Sequence, residues 1–203
     1  MTPSGITELA GSVLERPTDR IVRAWIRARG VDAWVDVQPV SDEWSRRRQV
    51  GLGALTIRTQ LEILSRLPTD LPVPWSTLAP RDRRWIAGLP IGTAHVDKGA
   101  VTRLAVSPVK VTTAVVTARN WRRGLHDATQ FAPYCARALF IPQRPADLGE
   151  LLLEASFYGV GIGILGTDAV EWVCSPAEFR PTRFTTSSWL FNEQIFQQLL
   201  TRE

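Results

Sequence analysis

VTTAVVTARNWRRGLHDATQFAPYCARALFIPQRPADLGELLLEASFYGVGIGIL, residues 111–165, is the stretch whose reading decides the fold. It opens inside a run of β-branched residues, Val109–Thr117, which fits a pleated surface and predicts a strand. Asn120 can cap a helix that starts at Trp121, continues to about Phe131 and is stopped by Pro133. Ala136–Ile141 reads as a buried strand ending at Pro142. Asp147–Tyr158 is amphipathic, with Leu148, Leu151, Leu152 and Ala155 turned inward, and Gly159 ends it. Val160–Leu165 closes the segment as a short strand. Strands alternating with helices predict an α/β layered architecture.

Working outward, a turn at Gly166-Thr167-Asp168 leads to a strand at Val170–Cys174, and Trp189–Leu200 reads as a terminal helix. Upstream, Val101–Val106 reads as a strand adjacent to Val109–Thr117, joined by a Ser107-Pro108 turn. Arg81–Ala87 is a short helix, and the proline-rich run from Pro68 to Pro80 reads as irregular. Trp44–Leu67 reads as a basic helix that Ser41-Asp42-Glu43 could cap, and Gly51 and Gly53 weaken it and are places for a break. Val31–Val40 reads as a strand. Pro17 to Arg29 reads as a helix stopped by Gly30, with Ile21, Val22, Trp25 and Ile26 on one face and Arg20, Arg23 and Arg27 on a neighbouring stripe. Residues 1–16 read as an arm. The expected organisation is an arm, helix and strand over 1–40, a helical insertion or subdomain over 41–92, and an α/β core with the terminal helix over 93–203.

Composition bounds the partners. The chain has 203 residues, 44% hydrophobic and 22% charged, which is a globular composition with enough length for a sizeable core. Its net charge is +4 and its pI about 9.7, compatible with a nucleic-acid partner. Lys98 and Lys110 are the only lysines, so the other 22 basic residues are arginine. Guanidinium forks suit phosphate, and a GC-rich coding sequence produces the same bias. Cys135 and Cys174 lie in apolar surroundings and, with His95 and His126, show no metal-ligand spacing. The expectation is a cytoplasmic protein without a membrane partner, metal or cofactor.

The run Ala114-Val115-Val116-Thr117-Ala118-Arg119-Asn120-Trp121-Arg122-Arg123-Gly124-Leu125 resembles a strand-to-helix junction of the PD-(D/E)XK nuclease superfamily. In one bacterial branch of that superfamily a strand carrying Glu-x-Lys precedes a helix beginning Asp-Trp-Arg-Arg-x-Leu. A Gln, an aromatic residue and a strand ending in Pro follow. Phe131, Ala136–Ile141 and Pro142 fit that order, and Tyr158 to Leu165 is similar to the branch's Leu-Gly-Ile-Gly-Leu-Leu segment. The likeness covers roughly residues 101–183. It implies a restriction-endonuclease-like mixed sheet flanked by helices, and metal-assisted phosphodiester hydrolysis in active members.

The residues for that chemistry are missing. Val115 stands at the Glu position, Thr117 at the Lys position and Asp127 at the helical Gln position, with Asp97 nearest to the remaining aspartate. The absence does not depend on register. Val96 and Pro108 precede Lys98 and Lys110 by two residues, so no acid-x-Lys triplet exists, and Asp82-x-Arg84 lies on a helix. The resemblance therefore implies a degenerate, non-catalytic nuclease core that contacts DNA or RNA, within bacterial genome defence or a mobile element. Arg119, Arg122 and Arg123 at the helix start, with Arg20, Arg23 and Arg27, are the expected contacts; the alternative is that the arginines are only solvated while Trp121 packs in the core. A protein-interaction or scaffold subunit, or a homo-oligomer, is the second reading. A nuclease with relocated acids at Asp97, Asp127 or Glu154 is the third. Gly161-Ile162-Gly163-Ile164-Leu165-Gly166 matches the dinucleotide-binding glycine pattern, yet a helix precedes it and a strand follows, so it reads as the start of a buried strand.

Overall fold

The computed structural model describes residues 21–181 and 183–201. In chain order the elements are β1 (Val22–Ala28), β2 (Val31–Pro39), α1 (Ser41–Val50), α2 (Arg58–Arg66), β3 (Pro72–Pro74), a 3-10 turn (Trp75–Thr77), α3 (Pro80–Ala87), β4 (Ala94–Asp97), β5 (Ala100–Arg103), β6 (Val109–Thr117), α4 (Trp121–Thr129), β7 (Ala136–Ile141), α5 (Leu148–Tyr158), β8 (Val160–Leu165), β9 (Val170–Cys174) and α6 (Thr186–Leu200). The protein is mixed α/β, with a six-stranded and a three-stranded sheet. No helix among the described residues is long and apolar enough to cross a membrane.

Two compact units emerge, one from residues up to Gln38 with Val111–Pro181, the other from Pro39–Lys110 with the residues after Pro181. The first is built on the six-stranded sheet in the order β1-β2-β6-β7-β8-β9. β1 and β2 pair antiparallel, β6, β7 and β8 run parallel, and β9 returns antiparallel. Helices α4 and α5 are the crossovers of the parallel strands, and they pack on the sheet and on each other. Gly124 lets α4 approach closely, since a Cβ there would lie 2.5 Å from Leu139 of β7. Val116, Leu139 and Ile162 are in register, and their alternation with Val115, Ala138 and Gly161 separates the helix-covered face from the opposite one.

The expected helix over Pro17–Arg29 is corrected. Residues 17–20 lie outside the described residues, and Val22–Ala28 is a strand. Ala24, Ile26 and Ala28 are buried, while Arg23, Trp25 and Arg27 occupy the alternate positions. Arg29 (φ 58°) and Gly30 (φ 79°) form a two-residue turn that pairs Ala28 with Val31. Ile21 and Val22, expected to face a core, are exposed.

The second unit gathers α1, α2, α3, α6 and the three-stranded sheet, ordered β3-β5-β4. The glycines do split the long basic helix: α1 ends at Gly51, whose φ is 66°. Ser41 starts α1 and Val40 is its N-cap, so the expected side-chain cap is not formed. Val101 and Val109 belong to strands of different sheets, not of one hairpin, and the proline-rich run contains β3. The terminal helix also belongs here and not with the α/β core: Trp189 is buried with Leu52, Leu55, Leu61, Leu64 and Ala105. Within the same unit, Arg47 uses every guanidinium N–H. Its partners are Glu43, both oxygens of Glu193, and the carbonyls of Gly53 and Val106.

Candidate functional site

Val115 and Thr117, the positions where the resemblance would place Glu and Lys, lie near the carboxyl end of β6 on the face away from α4 and α5. Their neighbours across β7 are Ala138 and Phe140. Val115 is 4% exposed and belongs to an apolar cluster with Ala138, Phe140 and Val170, lined further by Trp34, Leu165 and Trp172. Gly161 and Gly163 of β8 serve the same packing. A Cβ on Gly163 would meet Val170 at 2.6 Å and Phe140 at 2.7 Å, and one on Gly161 would meet Pro176 at 2.6 Å. The glycine pattern is thus part of a buried strand with no helix following it, as its sequence context predicts. The Thr117 hydroxyl is buried and has no hydrogen-bond partner among the described residues.

The helix that follows begins as expected. Asn120 Oδ1 accepts a hydrogen bond from the Arg123 amide at 3.1 Å, which satisfies one of the orphan donors of the first turn. Trp121 is buried, and its indole N–H donates to Asp147 Oδ1 at 3.0 Å. Arg122 folds over the Trp121 ring at 4.1 Å and donates to Asp147 at 2.9 Å and Glu150 at 2.7 Å. The Trp121 indole, with the Arg122 guanidinium, holds the Asp147 carboxyl below its ordinary range. Arg122 is therefore engaged within the unit. Arg123 is 84% exposed at its side chain, with Asp127 at 3.8 Å. Arg119 is exposed and has no ionic or hydrogen-bonding partner among the described residues.

The N-terminal arginines do not form the helical stripe expected of them. Arg20 lies outside the described residues. Arg23 makes a bidentate pair with Asp36, at 2.6 and 2.9 Å, on the neighbouring strand. Arg27 is exposed and stands opposite Asp32 in register. Trp25 and Trp34 meet edge to face between these pairs, with ring centroids 5.3 Å apart. The acids that take up Arg23 and Arg122 lie on other elements, Asp36 on the next strand and Asp147 and Glu150 at the start of α5, and strand pairing and helix packing bring them in. For Asp36 the signal was the alternation Asp32-x-Trp34-x-Asp36, which puts all three on one face of a strand.

Of the acids considered for a relocated active site, Asp97 ends β4 in the second unit, while Asp127 and Glu154 lie on α4 and α5 of the first. No group of three or more His, Cys, Asp and Glu among the described residues is arranged to hold a metal ion. His126 is exposed on α4. Cys135 is fully buried, and burial pushes its thiol up to about 12, whereas Cys174 is half-buried. Comparisons with protein-family models, curated proteins and solved structures yield no match to the chain.

Proposed function

We propose that this chain binds nucleic acid through a nuclease-like core and does not cleave it at Val115 and Thr117. The observation that carries this reading is the contrast between the end of β6 and the first turn of α4. Val115 is packed among apolar side chains, where the charged form of a metal-binding carboxylate would be strongly disfavoured. Beyond it, Arg119 and Arg123 stay exposed at the amino end of a helix, where guanidiniums and backbone N–H groups together suit a phosphate. The order strand, helix, strand, helix, strand over β6 to β8 agrees with the superfamily resemblance, whose active members act on phosphodiesters. Genome defence or a mobile element is the setting that the resemblance implies.

The deciding measurement is a salt titration of binding to labelled duplex and single-stranded oligonucleotides. Binding through phosphates gives a linear fall of log K with log salt. Replacing both Arg119 and Arg123 by Ala lowers the magnitude of the slope by about 1 per lost phosphate contact. No binding to any oligonucleotide at low salt would end this reading. A scaffold role is favoured by one separate observation: Leu153 and Phe157, spaced i and i+4 on α5, are 74% and 82% exposed.

A further inference from the structure

The second unit carries a basic and aromatic surface of its own, on helix α3. That helix turns Ile86 inward, against Ile63, Leu67 and Val101. Asp82 is taken by Arg66 at 3.3 Å. Arg83 is spent on the preceding turn, donating to the carbonyls of Leu78 and Ser76 at 2.9 Å each. What remains is Arg81, Arg84 and Trp85, spaced i, i+3 and i+4 and so on one stripe of the helix. Arg81, Arg84 and Trp85 are all exposed, Trp85 at 42%. Among the described residues Arg81 and Arg84 have no ionic or hydrogen-bonding partner.

We infer that the Arg81-Arg84-Trp85 stripe is a contact site for single-stranded nucleic acid. The inference takes its partner class from the function proposed above but rests on a different surface. Two guanidiniums without carboxylate partners on one helix stripe suit an anionic ligand, and the phosphates of a polynucleotide are such a ligand. The indole adds what a purely anionic partner would not use. An exposed Trp ring stacks on a base only if the base is not already stacked within a duplex, so the stripe discriminates in favour of unpaired strands. An acidic peptide would use the arginines and leave the ring idle.

The test is fluorescence anisotropy of the full chain with labelled oligothymidylate, with the matching duplex, and with polyglutamate as competitor. Trp85→Ala is expected to weaken oligothymidylate binding about tenfold, with Trp85→Phe closer to the parent and duplex binding unchanged. Arg81→Ala with Arg84→Ala is expected to reduce the single-strand salt slope by about 0.7 per arginine. Circular dichroism checks that the variants remain folded. Full retention of oligothymidylate affinity when Arg81→Ala, Arg84→Ala and Trp85→Ala are combined overturns the inference. If the Arg119 and Arg123 variant meanwhile loses affinity, the earlier reading survives alone. Equal competition by polyglutamate, with no effect of Trp85→Ala, also overturns it in favour of an acidic protein partner. Failure of the parent chain to bind any oligonucleotide removes both.

Discussion

Arg47 and Glu193 lie 146 residues apart in sequence and are joined by two hydrogen bonds, 2.7 and 2.8 Å long, between side chains that are 1% and 0% exposed. The pair is the centre of a closed polar network. Glu193 also accepts from the Trp189 indole at 2.9 Å and from the Leu55 amide at 2.8 Å, while Glu43 receives both Arg46 and Arg47. A buried ion pair need not outweigh its desolvation, but once formed its members depend on one another.

Replacing Arg47 by Met leaves two buried carboxylates without their shared cation. The expected loss is about 3–5 kcal/mol of unfolding free energy, read from urea denaturation. A loss under about 1 kcal/mol would show that water takes over the contacts that Arg47 makes with Glu43 and Glu193.

The same network sets an acid limit. Burial acts to raise the Glu43 carboxyl, but the guanidiniums of Arg46 and Arg47 outweigh it and hold the group below its ordinary value. The unfolded chain therefore takes up this proton first, near pH ~4.3, and the stabilisation by ionised Glu43 is present above that pH. It is lost as pH falls through the lower folded value. Glu43→Gln is expected to be less stable at neutral pH and to show a shallower decline on acidification, measured as unfolding free energy between neutral pH and about pH 3. An unchanged acid slope would contradict this assignment.

At the end of β6 the expected effects run in opposite directions. Thr117→Val keeps the shape and removes a buried hydroxyl that has no partner among the described residues, so it is expected to stabilise the protein by about 1 kcal/mol. Val115→Glu puts a carboxylate into the cluster of Phe140, Val170 and Trp172 and is expected to cost about 3 kcal/mol or more. Both are read from urea denaturation. If Val115→Glu is well tolerated, polar groups reach this position and the question of catalysis there reopens.

The two thiols are expected to differ in reactivity. Cys135 is buried and its thiol is pushed up to about 12, so it stays protonated near pH ~8. Cys174 is only half-buried. A thiol-labelling reagent is expected to modify one cysteine in the native protein and both after denaturation, counted by mass spectrometry. Two fast-reacting native thiols would contradict the packing around Cys135.

Local order over 109–174 was legible because its patterns are unambiguous. β-Branched residues fill β6, Asn120 caps α4, and Gly159 with φ 65° ends α5. Strands β7, β8 and β9 fall where apolar runs of strand length predicted them. Around β1 two periodicities compete. Arg20, Arg23 and Arg27 sit at helical spacing, yet Arg23, Trp25 and Arg27 also alternate, and pairing with β2 favours the strand. The better signal was Arg29-Gly30, a two-residue turn between alternating runs; Lys98-Gly99 marks a second such turn, between β4 and β5. Strand β3 was hidden because Pro72 and Pro74 argue against a strand, a rule relaxed at a sheet edge, where β3 lies.

By itself, then, the sequence determined the alternation of strands and helices from β6 onward, the excess of arginine and the lack of any acid-x-Lys triplet. These are properties of neighbours along the chain, set by side-chain periodicity, capping and composition. Only the tertiary structure decided which charges remain available. Arg23 is matched by Asp36, Arg122 by Asp147 and Glu150, and Arg47 by Glu43 and Glu193, while Arg81, Arg84 and Arg119 have no such partner among the described residues. Apart from Arg47–Glu43, those pairings join different elements, and whether a guanidinium meets a carboxylate or solvent depends on strand register and helix packing, which are settled only when the elements come together.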